Sequence, residues 1–210
     1  LLKNYLMTNE YFGGLDFGSS GARISIIDKS KEIIFEDSCI YNYEFKNPEG
    51  WINSCIKLFE GIPIQIKINL SRLSISGTSG TLVPCGSNGN ILGNSIPYNE
   101  ACTTNSKKLK LIAGEDKFLN NPYSSLAKAI KLIDIFGDDI ILRHQADWIS
   151  GWFLNDWSFG EEGNNVKLGW NIANKSWPES FESFSLTKSI PVIKESGSIL
   201  GKINQSIANL

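Results

Sequence analysis

An α/β fold, with helices flanking a mixed sheet, is predicted by three features of this 210-residue sequence. Residues 11–41 hold three short alternating apolar runs separated by tight turns. Apolar spacing then switches from a period of two to a helical period in "NPEGWINSCIKLFEGI" and back to a strand period in "LSRLSISG". Beyond residue 96 the periodicity is helical.

Each element follows from its own residues. "YFGGLDFG" is a strand closed by a turn at Gly18–Gly21, and "ARISIID" is a second strand, with Ile24 and Ile26 alternating with polar neighbours. "EIIFEDSCIY" follows the turn "DKSK" as a third strand. Three consecutive strands joined by tight turns make an antiparallel meander, which argues against a Rossmann fold. In the next segment Trp51, Cys55, Leu58 and Phe59 share one helix face, with Asn47 as N-cap and Pro48 at the first helical position. A strand over 70–77 runs into the loop "GTSGT", and "LVPCGSNGNILG" reads as a hairpin turning at Ser87, Asn88 and Gly89. "NEACTTNSKKLKLIAG", "SSLAKAIKLIDIFG" and "QADWISGWFLNDW" are helical, the second with Leu126, Ile130, Leu132 and Ile133 on its apolar face. "GEEGNNVKLGW" reads as irregular and "SWPESFESF" as a short final helix. This order is that of a ribonuclease-H-like or actin-like domain.

Composition narrows the function. Hydrophobic residues make up 41% and charged residues 20%, as in an ordinary globular protein. A net charge of −2 provides no basic field for nucleic acid, and no apolar run reaches the ~18 residues of a membrane helix. Four scattered cysteines, Cys39, Cys55, Cys85 and Cys102, and one histidine, His144, make no zinc pattern; reduced buried thiols and a cytoplasmic location are expected. His144 has no partner carboxylate nearby in sequence and reads as structural. Residues 1–8, ahead of or around the only methionine, Met7, are expected to be a non-native or disordered lead. The C-terminal stretch reads as the point where a longer protein is cut.

The residue pattern that carries chemistry is "LDFGSSGAR". Successive small residues can present backbone N–H groups to phosphate oxygens, Ser19 and Ser20 add hydroxyls, and Asp16 can hold Mg²⁺, which prefers oxygen ligands. The same letters also suit a plain hairpin turn with Asp16 bonded to local amides. "GSILGK" at 197–202 lacks one spacer and the hydroxyl residue after lysine, so it is not a P-loop. Asp147 reads as a helix-start cap, Glu161 and Glu162 as solvated loop carboxylates, and Trp148, Trp152, Trp157 and Trp170 as an aromatic core cluster.

Three stretches in order resemble the N-terminal domain of the FGGY carbohydrate kinases: "LDFGSSGARISIID", "LSRLSISGTSGTLVPCGSNGNILGNSIPYNE" and "ADWISGWFLNDWSFGEEGNNVKLGWNIANKSWPESF". "NNVKLGW" looks most like the ribulose and xylulose kinase branch. The resemblance implies one N-terminal sugar-kinase domain of the actin-like ATPase fold over residues 1–210, using ATP and Mg²⁺ on a small sugar such as D-ribulose or D-xylulose. It implies Asp16 as the catalytic and metal carboxylate, with Gly18, Ser19, Ser20, Gly21 and Arg23 at the nucleotide's phosphates. It places Thr78, Ser79, Gly80, Asn99 and Glu100 against the sugar, with Cys102 and Thr103 where the family has a basic residue. The family's catalytic base and adenosine site have no counterpart in these stretches, so the chain alone is expected to be inactive. A sugar- or partner-binding module without turnover, and a ribonuclease-H-like nuclease, are the competing readings.

Overall fold

The computed structural model describes residues 10–208; the expected lead over 1–8 lies outside the described residues. The chain runs β1 (Tyr11–Phe17), β2 (Gly21–Ile27), β3 (Ile33–Ile40), α1 (Pro48–Gly61), α2 (Ile64–Lys67), β4 (Leu70–Gly77) and β5 (Leu82–Cys85). It continues with α3 (Ser106–Ala113), α4 (Ser125–Phe136), β6 (Ile141–His144), α5 (Gln145–Leu154), β7 (Phe159–Glu161), α6 (Glu162–Asn165), α7 (Ser180–Ser183), β8 (Val192–Lys194) and α8 (Gln205–Ala208).

The main sheet is mixed, in the order β3-β2-β1-β4. The meander pairs antiparallel, and β4 returns parallel to β1 after the crossover through α1 and α2. Period-two alternation decides which residues face the core: Leu15, Phe17, Ala22, Ile24 and Ile26 are buried. The intervening Asp16 and Arg23 therefore stand on the opposite, solvent-facing side. Trp51, Cys55 and Leu58 of α1, with Trp148, Ile149 and Phe153 of α5, complete this first core. Asn47 caps α1 through Oδ1, which accepts from Glu49 N at 3.0 Å, with Pro48 opening the helix as the sequence predicts. All four cysteines are buried free thiols. No helix among the described residues is long and apolar enough to cross a membrane.

A second core gathers α3, α4, the β5–β6 pair and α7 around Leu126, Ile130, Leu142 and Phe181. Here the sequence reading needs correction. Residues 82–93 do not form a two-stranded hairpin: β5 pairs antiparallel with β6, and the return through Ile91 touches β5 at single bridges. The helix expected from residue 99 begins only at Ser106, because the Cys102 N–H is committed to Pro122 O at 2.8 Å. "GEEGNNVKLGW" is ordered rather than irregular, and β8 was not foreseen. The four tryptophans are not one cluster: Trp148, Trp152 and Trp157 pack in or against the first core, whereas Trp170 stacks edge-on to Trp177 beside the second.

Candidate functional site

β1 and β4 end side by side, and the turn and the loop that follow them start from the same edge. Register places Asp16 opposite Arg23 on one neighbour and Ser76 on the other. Its Oδ2 lies 2.5 Å from Arg23 Nη2, and its Oδ1 accepts from Ser76 Oγ at 2.9 Å. The Arg23 guanidinium, and secondarily the Ser76 hydroxyl, hold the Asp16 carboxyl below the usual carboxylate range against its partial burial. Asp16 is thus a half-exposed, ionised carboxylate fixed by neighbouring strands rather than by local turn amides. Sequence reasoning missed Ser76, since only strand register connects residues 60 positions apart.

The turn after β1 is closed by Gly18 N donating to Gly21 O at 2.9 Å. Ser19 and Ser20 are exposed at its tip, and no hydrogen bond among the described residues engages their N–H groups. Gly21 has a packing reason of its own: a Cβ there would stand 2.2 Å from Cys39 O on β3.

The loop after β4 is bound more tightly. Thr78 donates from both N and Oγ1 to Gln145 Oε1, each at 2.8 Å. Gly80 takes φ +95°, a conformation that favours glycine, and Ser79 O accepts from Lys167 Nζ at 3.1 Å. Thr81 Oγ1 accepts from Tyr98 N at 3.1 Å, which draws the exposed Asn99 and Glu100 to the same loop. Cys102 is buried, and the cation at Glu100 comes from α4, as Lys131 Nζ at 3.1 Å. Behind Tyr98, the fully buried Lys128 donates to Tyr98 O and Tyr123 O, and burial pulls its pKa down to about 8.

Three side readings change. Asp147 does not cap α5, whose N-cap is His144; it is buried in the first turn and accepts from Glu161 N, Asn164 Nδ2 and Asn165 Nδ2. His144 does have a carboxylate near it, Asp147 Oδ2 at 3.7 Å, and a hydrogen bond to Ser125 Oγ at 2.9 Å; all three groups are buried. Glu161 is no free loop carboxylate, since it caps α6 by accepting from Gly163 N and Asn164 N.

An open groove of about 920 Å³ follows the outer edge of β4, reaching Ser76 and Gly77 at the site. Among the described residues, no three His, Cys, Asp or Glu side chains gather into a metal-binding cluster. One half-exposed carboxylate next to unengaged amides fits Mg²⁺ arriving on a nucleotide's phosphates, because that ion keeps its waters and takes one or two carboxylates.

No family model matches the chain. Its fold is similar to solved carbohydrate kinases: a xylulose kinase from Rhodospirillum rubrum (TM-score 0.81, 12% identity, 95% of this chain and 46% of that one). A gluconate kinase from Lactobacillus acidophilus (TM-score 0.77, 14% identity, 96% and 45%) and a Plasmodium falciparum glycerol kinase with ADP (TM-score 0.76, 14% identity, 96% and 46%) are alike. The chain spans a little under half the length of these kinases. Its mixed sheet with flanking helices is thus an actin-like fold, similar to that of a little under half of these carbohydrate kinases.

Proposed function

We propose that this chain is the phosphate-loop and sugar-facing part of an ATP-dependent sugar kinase whose acceptor is a pentulose such as D-ribulose or D-xylulose. The observation that carries this reading is the pairing of β1 with β4, which sets the Asp16 carboxylate and the Gly18–Gly21 turn beside the Thr78–Gly80 loop. Phosphoryl transfer asks little covalent chemistry of the protein; it needs aligned reactants and compensated charge. On the nucleotide side, the Ser19 and Ser20 amides and hydroxyls donate to phosphate oxygens, and Arg23 adds positive charge while lowering the Asp16 pKa. Asp16 would hold Mg²⁺ there, whose part is to neutralise phosphate charge. On the sugar side, Thr78 and Ser79 offer hydroxyls, Gly80 leaves room, and Asn99 and Glu100 can pair with sugar hydroxyls.

A nuclease of related fold needs several carboxylates on adjoining strands; the residue facing Asp16 across β4 is Ser76, which supports the kinase reading over that one. Four buried free thiols suit a reducing compartment such as the cytoplasm. Within residues 10–208 we assign no group to align the attacking sugar hydroxyl, so the 210-residue chain by itself turns nothing over.

The test is an ADP-release assay with ribulose, xylulose and glycerol, run on the 210-residue chain and on the full-length protein. We expect pentulose-dependent ADP release only from the longer protein, and about a thousandfold loss of that rate in Asp16→Ala with only a slight drop in melting temperature. Normal turnover by Asp16→Ala would remove the assignment.

A further inference from the structure

Lys128 sits near the N-terminus of α4 and is wholly buried. Both facts count against a cation, because burial strips its water and the positive end of the helix dipole lies close by. Among the described residues no carboxylate pairs with it; Glu100, whose charge reaches it, is paired instead with Lys131 at 3.1 Å. What the ammonium holds are two main-chain carbonyls, Tyr123 O at 2.6 Å and Tyr98 O at 3.4 Å.

These carbonyls belong to different segments. Tyr123 lies in the turn before α4, and Tyr98 in the stretch 97–100 that carries the exposed Asn99 and Glu100. Between Ile96 and α3 there is neither strand nor helix, so the shape of that stretch depends on ties of this kind. Tyr98 is held on both sides: its N–H donates to Thr81 Oγ1 at 3.1 Å, and its carbonyl accepts from Lys128. That carbonyl is part of the planar peptide unit leading into Asn99, so fixing it fixes the direction in which Asn99 and Glu100 follow. From Thr81 the bonds continue. Its hydroxyl lies 2.7 Å from that of Thr78, which donates to Gln145 Oε1. A Thr78 hydroxyl so committed can only accept from Thr81, which sets the direction of every proton in the series. Lys128 therefore closes one continuous run of hydrogen bonds, from the Thr78–Gly80 loop through Thr81 and Tyr98 to Tyr123.

We infer that Lys128 is a positioning residue for the sugar: by joining Tyr98 O to Tyr123 O, its ammonium sets the rim on which Asn99 and Glu100 stand. The inference rests on the sugar-kinase reading above. Lys128 is buried and acts through the residues it holds. An apolar side chain of similar volume would avoid the cost of burying its charge, so stability alone does not account for it. Hydrogen bonds from an ammonium are about twice as strong as neutral ones, and burial brings this pKa down to about 8. The hold on the two carbonyls should therefore weaken as pH rises past that value. The other titratable groups around it are Glu100 and Cys102 on the rim segment, Lys131 on the same helix and Lys167 after α6. Burial raises the Cys102 thiol, so it is still neutral where Lys128 loses its proton.

The experiment is steady-state kinetics of the full-length protein with D-xylulose and D-ribulose from about pH 6.5 to about 9.5, using Lys128→Met, with Asp16→Asn as reference. Lys128→Met keeps most of the volume and removes the donors. At pH 7 it should raise the KM for sugar about tenfold and leave that for ATP within about twofold of wild type. As pH passes 8, the wild-type KM for sugar should climb toward that of Lys128→Met, so the ratio of the two narrows. A purely structural lysine would lower the melting temperature and leave this ratio constant. An unchanged sugar KM in folded Lys128→Met, or a ratio constant across the range, would overturn the inference. Where Lys128→Met does not fold, a wild-type sugar KM that stays level through pH 8 overturns it. Turnover lost in Asp16→Asn together with an unmoved sugar KM in Lys128→Met overturns the inference alone. Undiminished turnover in Asp16→Asn overturns the kinase reading and the inference with it.

Discussion

The turn after β1 and the loop after β4 lie next to each other at one end of the sheet and are built in opposite ways. Gly18–Gly21 is closed by one internal backbone hydrogen bond, is held from outside by Tyr41 alone, through Gly18 O and Ser20 O, and leaves two serines exposed. Thr78–Thr81 is held from four directions: Gln145 on Thr78, Lys167 on Ser79, the Gln145 N–H on Thr81 O, and Tyr98 on the Thr81 hydroxyl. On the proposed function, the difference matches two kinds of ligand. A phosphate is recognised by charge and by free N–H donors, which a spare turn supplies. A sugar is recognised by the placement of many hydroxyls, which only a rigid rim can discriminate, because each mismatched hydroxyl leaves a buried polar group unpaired.

The contrast breaks most sharply at the glycines of the first turn. Gly21 meets Cys39 backbone at 2.2 Å from an added Cβ, whereas at Gly18 the nearest atom would be Gly21 O at 3.5 Å. Gly21→Ala must push β3 away from β2 and should cost about 3 kcal/mol, read as a drop in the urea midpoint. Gly18→Ala should cost under ~1 kcal/mol by the same measurement. Equal losses would mean that the two glycines serve the same purpose and that the turn is not the open element described above.

The second loop gives a smaller effect of a different kind. Ser79→Leu places an exposed apolar side chain on the rim without touching the Thr78–Gln145 bonds. In the full-length protein it should raise the KM for sugar about tenfold and change that for ATP less than about twofold. A parallel rise in both would show that the loop does not separate the two ligands.

The parts of this site that were legible in the sequence are those encoded locally. Alternation in "YFGGLDFG" and "LSRLSISG" located β1 and β4 closely, and the small residues after each marked the two loops. What holds those loops in place is encoded at a distance. Ser76 reaches Asp16 only because β1 and β4 pair in parallel register, and Gln145 lies 67 residues from Thr78. The same limit explains the missed β6: "ILRH" is too short to show a period, and it becomes a strand by pairing with β5. His144 and Asp147 were both singled out, three residues apart, but only the turn from β6 into α5 shows them as neighbours. In each case a local pattern placed the residue, and tertiary pairing determined its partner.

The smallest effect concerns the ion pair that edges the open turn. Arg23 and Asp16 are in contact, but their side chains are 73% and 44% exposed, so water and salt screen the attraction. Replacing Arg23 by alanine should therefore cost about 0.5 kcal/mol at pH 7, whereas on the proposed function its larger effect would be on turnover. The pH dependence has a definite sign. Arg23 holds the folded Asp16 pKa below its unfolded value of ~3.9, so the contribution is complete above that pH and fades as acid carries the protein down through the lower folded pKa. Wild type and Arg23→Ala should thus differ slightly in melting temperature from pH 5 to 7 and converge as acid protonates the folded Asp16. Adding salt at pH 7 should shrink the gap as well, since the pair sits in solvent. A gap that persists unchanged at low pH would mean that Arg23 stabilises the fold by packing its stem on β2. Its charge would then be unconnected with Asp16, leaving the Ser76 hydroxyl as the contact that lowers the carboxyl's pKa.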